Sequence, residues 1–163
     1  MLKYVNTQVT FSEVPDQVSL CIEISNCPIQ CPGCHSKYLW DDIGTPLNKE
    51  SLLELLSKND GVTCVCFLGG DQAIASINWL AKCVKEFNPN LKVAWYSGQH
   101  ELDKDINLEY FDYIKIGPYI EECGPIDNEN TNQRLYQYNP CFSDYTIGKC
   151  WRDITHEFWR DKG

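Results

Sequence analysis

"VTCVCFLGGDQAIASINWLAKCVKEFNPNLKVAWYSG", residues 62–98, is the stretch on which the fold turns. It opens with "VTCVCFL" (62–68), an unbroken apolar run of strand length, suited to a sheet covered on both faces. Gly69 and Gly70 stop the run. From 71 to 88 the spacing turns helical, with Ile74, Ile77, Leu80, Ala81 and Val84 on one face. Pro89-Asn90 then leads into "LKVAWYSG" (91–98), a second strand. Strand, helix and strand in this order predict parallel strands joined by a right-handed crossover.

The alternation extends in both directions. Upstream, "VSLCIEI" (18–24) reads as a strand ending at Ser25-Asn26. "PLNKESLLELLSKND" (46–60) reads as a helix with Asn48 as its N-cap and Gly61 as its stop. Downstream, "FDYIKIG" (111–117) is a further strand ending at Gly117-Pro118. Four such units are too few to close an eight-stranded barrel of about 250 residues. The predicted fold is therefore α/β, a partial, open (βα) barrel with a mainly parallel sheet. Beyond residue 121 the pattern loosens. "EECGPIDNENTNQRLYQYNP" reads as an ordered loop or short peripheral element. "DYTIGKCWRDITHEFWRDKG" reads as a strand and a terminal amphipathic helix, packed down by Trp151, Ile154, Phe158 and Trp159.

A chain of 163 residues is most simply one domain, with a core that needs no disulfide staples. A net charge of −9 opposes a nucleic-acid partner, because neutralising phosphates needs clustered Lys and Arg. "MLKYVNTQVTFSEV" has no signal-peptide core, and no window approaches the roughly 18 apolar residues of a membrane span. The expectation is a cytoplasmic protein with no membrane partner, whose ten cysteines stay reduced. Cys21, Cys64 and Cys66 lie in apolar runs and read as small buried hydrophobes.

Asn26, Gly69, Gly70, Ser97, Gly98 and Gly117 all follow the carboxyl ends of predicted strands. In parallel α/β folds that edge binds ligands. "NCPIQCPGCHS" (26–36) lies on the same edge and carries Cys27, Cys31 and Cys34. In a reducing compartment such a cluster points to metal or redox chemistry. A structural zinc wants four ligands. Cys31 and Cys34 make one knuckle and Cys27 or His35 a third ligand, but no second matching pair follows. Strand alternation is expected to turn only one of Cys64 and Cys66 toward the site. A dithiol redox pair has the Cys31–Cys34 spacing, yet Cys27 and the long loop after it fit poorly. A cubane iron–sulfur cluster takes thiolate ligands, and three of them leave one iron open to another molecule. Gly33 permits the close approach that such a loop needs.

The C-x3-C-x2-C spacing after a first strand resembles the radical S-adenosylmethionine superfamily. "FLGGDQ" (67–72) is similar to its Gly-Gly-Glu-type motif, with Asp71 in the acidic place. With "GPYIEECG" (117–124) and "TNQRLY" (131–136), the chain resembles the activating proteins of anaerobic (class III) ribonucleoside-triphosphate reductases over roughly residues 10–140.

The resemblance implies a [4Fe-4S] cluster on Cys27, Cys31 and Cys34, with the amine and carboxylate of S-adenosylmethionine on the fourth iron. It implies reductive cleavage to methionine and a 5′-deoxyadenosyl radical, which takes a hydrogen from one glycine of the reductase's large glycyl-radical subunit. It implies an electron donor such as flavodoxin or ferredoxin. It also implies one radical-SAM domain over 1–163, with a core at about 15–120 and a packed C-terminal extension at 121–163. Gly69 and Gly70 would admit the methionine moiety, and Asp71 would orient its ammonium or cap the following helix. Gly33, Cys34 and His35 would line the adenosine end, and Ser97 and Gly98 the ribose side. Asn132, Gln133 and Arg134 match the family without a chemical role. Two places differ from the wider pattern. Gly33 replaces an aromatic residue, as in the reductase activases, and Ile116 replaces an acid before Gly117. Cys141 and Cys150 hint weakly at a second metal site. The alternatives are an activase of a pyruvate formate-lyase-type enzyme, a small-molecule radical enzyme, or a non-catalytic zinc-binding interaction module.

Overall fold

The computed structural model describes residues 1–139 and 151–160. Cys141 and Cys150 lie outside the described residues, as does most of the strand expected from residue 144. Among the described residues, eight strands form one open sheet in the order β3-β1-β2-β4-β5-β6-β7-β8. They are β1 (Lys3–Thr10), β2 (Ser19–Ile24), β3 (Thr45–Pro46), β4 (Cys64–Leu68), β5 (Lys92–Tyr96), β6 (Tyr113–Ile116), β7 (Arg134–Tyr138) and β8 (Trp151–Asp153). The helices are α1 (Lys49–Lys58) and α2 (Ile74–Phe87).

The centre follows the sequence expectation. β2, β4, β5 and β6 pair in parallel, with Leu20 opposite Val65, Phe67 opposite Trp95, and Trp95 opposite Ile114. The flanks correct it. β1 pairs antiparallel with β2 and β3, and β7 antiparallel with β6 and β8. The sheet is mixed, not mainly parallel, and β3 and β8 stand as open edges, so the sheet does not close among the described residues. The stretch read as peripheral loop contains β7, whose Leu135 is fully buried. The expected terminal helix is a 3-10 turn at Thr155–Trp159. It is still packed down: Ile154 is buried and the Trp159 Nε1–H donates to the Ile126 carbonyl at 3.0 Å.

Strand periodicity divides the core in two. Leu20, Ile22, Ile24, Val65, Phe67, Val93, Trp95 and Ile114 pack against Leu52 and Leu56 of α1 and Ile77, Leu80, Ala81 and Val84 of α2. The opposite face carries Cys21, Cys64, Cys66, Ala94, Tyr96, Tyr113 and Leu135, covered by Val14 and Ile154. Cys64 and Cys66 are two residues apart and therefore share this face; the expected division between them does not occur.

Local chemistry sets the element ends. Asn48 caps α1 with a reciprocal capping box to Ser51, its side chain accepting from the Ser51 amide at 2.9 Å. Asp112 ties β5 and β6 to α2. Its Oδ2 accepts from Lys85 Nζ at 2.6 Å and from the Val93 amide at 2.9 Å. No helix among the described residues is long and apolar enough to cross a membrane.

Candidate metal centre

The cysteine loop leaves β2 directly. Asn26, Gln30 and Gly33 have φ of +59°, +50° and +80°. Each of these left-handed residues immediately precedes a cysteine, so the chain reverses its course before Cys27, Cys31 and Cys34 in turn. The loop is anchored at its start. The Asn26 amide donates to the Asp41 carbonyl at 3.0 Å and the Cys27 amide to Leu39 at 2.9 Å. The Ser25 hydroxyl donates to the Ile43 carbonyl at 2.6 Å. Gln72 bridges to the next strand end, its Nε2 donating to the Ser25 carbonyl at 2.9 Å.

Cys27, Cys31 and Cys34 line one cavity of about 270 Å³ together with Gly69, Asp71, Ser97, Gly98 and Gly117. These residues follow β2, β4, β5 and β6, so the cavity lies on the edge that the sequence marks. Its size is near the lower end of the roughly 300–1,000 Å³ typical of small-molecule sites. Gly33, His35 and Gly70, all expected at the site, do not line it. His35 stands edge-on to Tyr119, with ring centres 5.5 Å apart. Gly70 faces α2: a Cβ built on it would lie 2.4 Å from Ile77 Cδ1.

Asp71 does not cap α2, whose N-cap is Ala73. Its carboxylate crosses to the end of β5, accepting from the Ser97 hydroxyl and from the Gly98 amide at 3.0 Å. Ser97 Oγ in turn accepts from the Gln99 amide at 3.1 Å. Burial raises the Asp71 pKa above its ordinary value, and the Ser97 and Gly98 donors oppose that rise. The cavity also holds residues that the sequence patterns did not single out: Glu13, Glu23, Trp40, Tyr96 and Lys115. Lys115 had a legible signal, since it shares a face with Tyr113 on a strand that ends at Gly117. Glu13 arrives on an irregular segment and Trp40 at the end of a one-turn 3-10 helix (Lys37–Trp40), both too short for periodicity to mark.

Burial raises the Cys31 thiol pKa most strongly, the Tyr119 amide hydrogen bond opposes it, and negative charge on Cys34 and Cys27 raises it further. Three thiolates gathered in this way are stabilised by a cationic group between them. The buried indole Nε1–H of Trp40, another lining residue, has no acceptor among the described residues. A sulfur-rich group held by the thiols would offer one. Among the described residues, no three or more His, Cys, Asp or Glu side chains are grouped so as to hold a metal ion. Cubane ligands bind different irons at separate corners and need no common point. Three thiols are one short of the four ligands of a closed structural zinc site and suit three corners of a cubane cluster.

The family stretch at 131–134 gains a structural role. Gln133 Nε2 donates to the Gly117 carbonyl at 3.3 Å, and Asn132 Nδ2 to Pro118 at 3.0 Å. These two side chains brace the turn that closes the cavity behind β6. Arg134 pairs instead with Asp153, at 3.7 Å.

The family model described as a 4Fe-4S single cluster domain matches residues 17–134. No curated protein and no solved structure matches the chain.

Proposed function

The chain belongs to the 4Fe-4S single cluster domain family, and we propose that it is a radical S-adenosylmethionine activase of an anaerobic ribonucleoside-triphosphate reductase. Cys27, Cys31 and Cys34 would hold the cluster. When bound, the cluster supplies an electron and an open iron for the cleavage of S-adenosylmethionine to methionine and a 5′-deoxyadenosyl radical, which takes a glycine hydrogen from the reductase. The observation that carries this reading is the meeting of three thiols with Gly69, Asp71 and Ser97 around one cavity at the strand carboxyl ends.

The chain's own residues would bind, orient and exclude water. Gly69 has φ of +106°, and its carbonyl is held by Trp95 Nε1 at 2.8 Å. It offers bare backbone to the methionine moiety. Asp71, already oriented by Ser97 and Gly98, retains lone pairs for the ligand's ammonium. Leu39, Trp40 and Leu68 supply apolar wall that keeps water from the sulfonium. The reductase as target rests on the match beyond Gly117, which does not distinguish the residues that contact ligand.

The test is anaerobic reconstitution with iron and sulfide. The protein should turn brown, cleave S-adenosylmethionine slowly to 5′-deoxyadenosine under a strong reductant, and change its reduced EPR signal when the ligand is added. Cys31→Ala should abolish cleavage. Retained cleavage in that variant would remove the ligand assignment. One tight zinc per chain, without iron or ligand binding, would select the interaction module. The purified glycyl-radical enzyme that acquires an EPR doublet identifies the partner, and a pyruvate formate-lyase doing so would replace the reductase.

A further inference from the structure

The register of the parallel strands lays Glu23, Leu68, Tyr96 and Lys115 in one row across β2, β4, β5 and β6. Residues in register share a face, and all four line the cavity, so this row is its floor. The row beneath is Cys21, Cys66, Ala94 and Tyr113, all buried. Glu23 and Lys115 end the floor, three strand spacings or roughly 14 Å apart. The Glu23 end meets solvent: Tyr38, whose hydroxyl donates to Glu23 Oε2 at 2.8 Å, is 42% exposed. Asn6 Nδ2 donates to the same oxygen at 3.2 Å. It does so from the bulge that breaks the β1–β2 register between Tyr4 and Thr7, a device that re-aims a side chain. Two separate segments thus fix one carboxylate through one oxygen. Glu23 Oε1 has no hydrogen-bond or ion-pair partner among the described residues.

A carboxylate held still at a cavity mouth, with one oxygen free, is a receptor for a cationic donor that comes from outside. The surroundings favour the same sign. Lys115 is the one lysine or arginine among the described residues lining the cavity, against Glu13, Glu23, Asp71 and three thiols, and the chain carries −9 overall. S-adenosylmethionine does not claim this oxygen: its ammonium goes to Asp71 in the function proposed above, and its sulfonium has no N–H to donate. We propose that Glu23 receives a lysine or arginine side chain of the polypeptide whose glycine gives up its hydrogen. This rests on the activase function proposed above and names the chemistry by which the target segment is selected. Leu68 and the Tyr96 ring form an apolar strip between the two charged ends, over which an extended segment would bury its own apolar atoms. A span of that length holds about four extended residues. The cation therefore lies within about four residues of the target glycine.

The experiment measures glycyl-radical formation by EPR in the purified reductase subunit, over a range of its concentrations, with reconstituted wild-type, Glu23→Gln and Tyr38→Phe activase. Each lysine or arginine of the reductase within that span of the glycine is also replaced singly by methionine. Glu23→Gln should raise the KM for the reductase roughly 3- to 30-fold, between the effect of an exposed and of a desolvated charge pair. The KM for S-adenosylmethionine should not move. Tyr38→Phe, which releases the carboxylate without removing it, should raise the reductase KM less. One reductase variant should reproduce the Glu23→Gln effect against wild-type activase and add nothing to it when the two are combined. Equal reductase KM in wild type and Glu23→Gln overturns the proposal while leaving the activase reading intact. So does a raised KM that no reductase variant reproduces, or that adds independently to each of them, since that is a merely structural role. A matching rise in the KM for S-adenosylmethionine overturns it by making Glu23 a ligand contact, and a target span without lysine or arginine overturns it outright. No radical in any glycyl-radical enzyme, with wild-type activase that carries its cluster, overturns both. If Glu23→Gln fails to hold its cluster, the reductase variants against wild-type activase decide: no change in KM from any of them overturns the proposal.

Discussion

At the scale of single residues, the molecule separates two kinds of cysteine. Cys64 is buried beneath the sheet and its thiol is pushed up to about 12 by loss of water. Cys66 lies beside Cys21 and is raised well above the ordinary thiol range by burial first and its thiol neighbours second. Cys27 and Cys34 line an open cavity. Since the thiolate is the nucleophile, iodoacetamide at pH 8 should modify Cys27 and Cys34 in the cluster-free protein, and Cys64 and Cys66 only after denaturant is added. Peptide mass mapping reads the result, and rapid native labelling of Cys64 would contradict its burial. Asp71 gives a pH signature. Its folded pKa is raised above the ordinary 3.8, so the folded state binds the proton more tightly than the unfolded state does. Relative stability is then greatest below that value and falls as pH rises through the folded pKa. The melting temperature of wild type minus that of Asp71→Asn should therefore decrease from pH 3.5 upward. A difference that grows with pH would mean that the Ser97 and Gly98 donors outweigh burial.

At the scale of elements, Gly70 shows how a motif residue serves packing. Its φ is +93°, and an added Cβ would lie 2.4 Å from Ile77 Cδ1. Gly70→Ala should cost about 2–4 kcal/mol in chemical denaturation through left-handed strain and overpacking against α2. Gly61 has open space around it, so Gly61→Ala should stay within about 0.5 kcal/mol of wild type. A neutral Gly70→Ala would sink the packing account and return Gly70 to ligand contact alone. Helix α1 and the four parallel strands were legible because local patterns define them: a capping residue, a 3.6-residue period and apolar runs ended by glycine. β1 was not assigned, although Val5, Thr7 and Val9 alternate in it, because a half-exposed alternation is weak until a partner strand is known. β7 was masked by its polar setting: of Arg134–Tyr138, Leu135 alone is fully buried.

At the scale of the whole molecule, the C-terminal third closes the site. Leu135 is fully buried in the core beneath the sheet, its amide accepted by the Thr155 hydroxyl at 2.9 Å. Leu135→Ala should destabilise by about 2–5 kcal/mol, as for a core residue. A cost below about 0.5 kcal/mol, the level of a surface site, would restore the peripheral loop expected from sequence. The same strand places Gln133 against Gly117 at the cavity, so a weakened β7 should also loosen the turn behind Lys115. The sequence by itself determined the alternation of strands and helices, the three-cysteine loop after the first central strand, and the gathering of Gly69, Ser97, Gly98 and Gly117 at one edge. Each is written in short-range spacing, and parallel crossovers carry such ends to one side. Only the tertiary structure decided that antiparallel strands flank the sheet, that Gly70 faces α2, and that Lys115 stands among the cavity's carboxylates and thiols. Those outcomes depend on which strand pairs with which and on what lies across the sheet, contacts between residues far apart in the chain that no local period encodes.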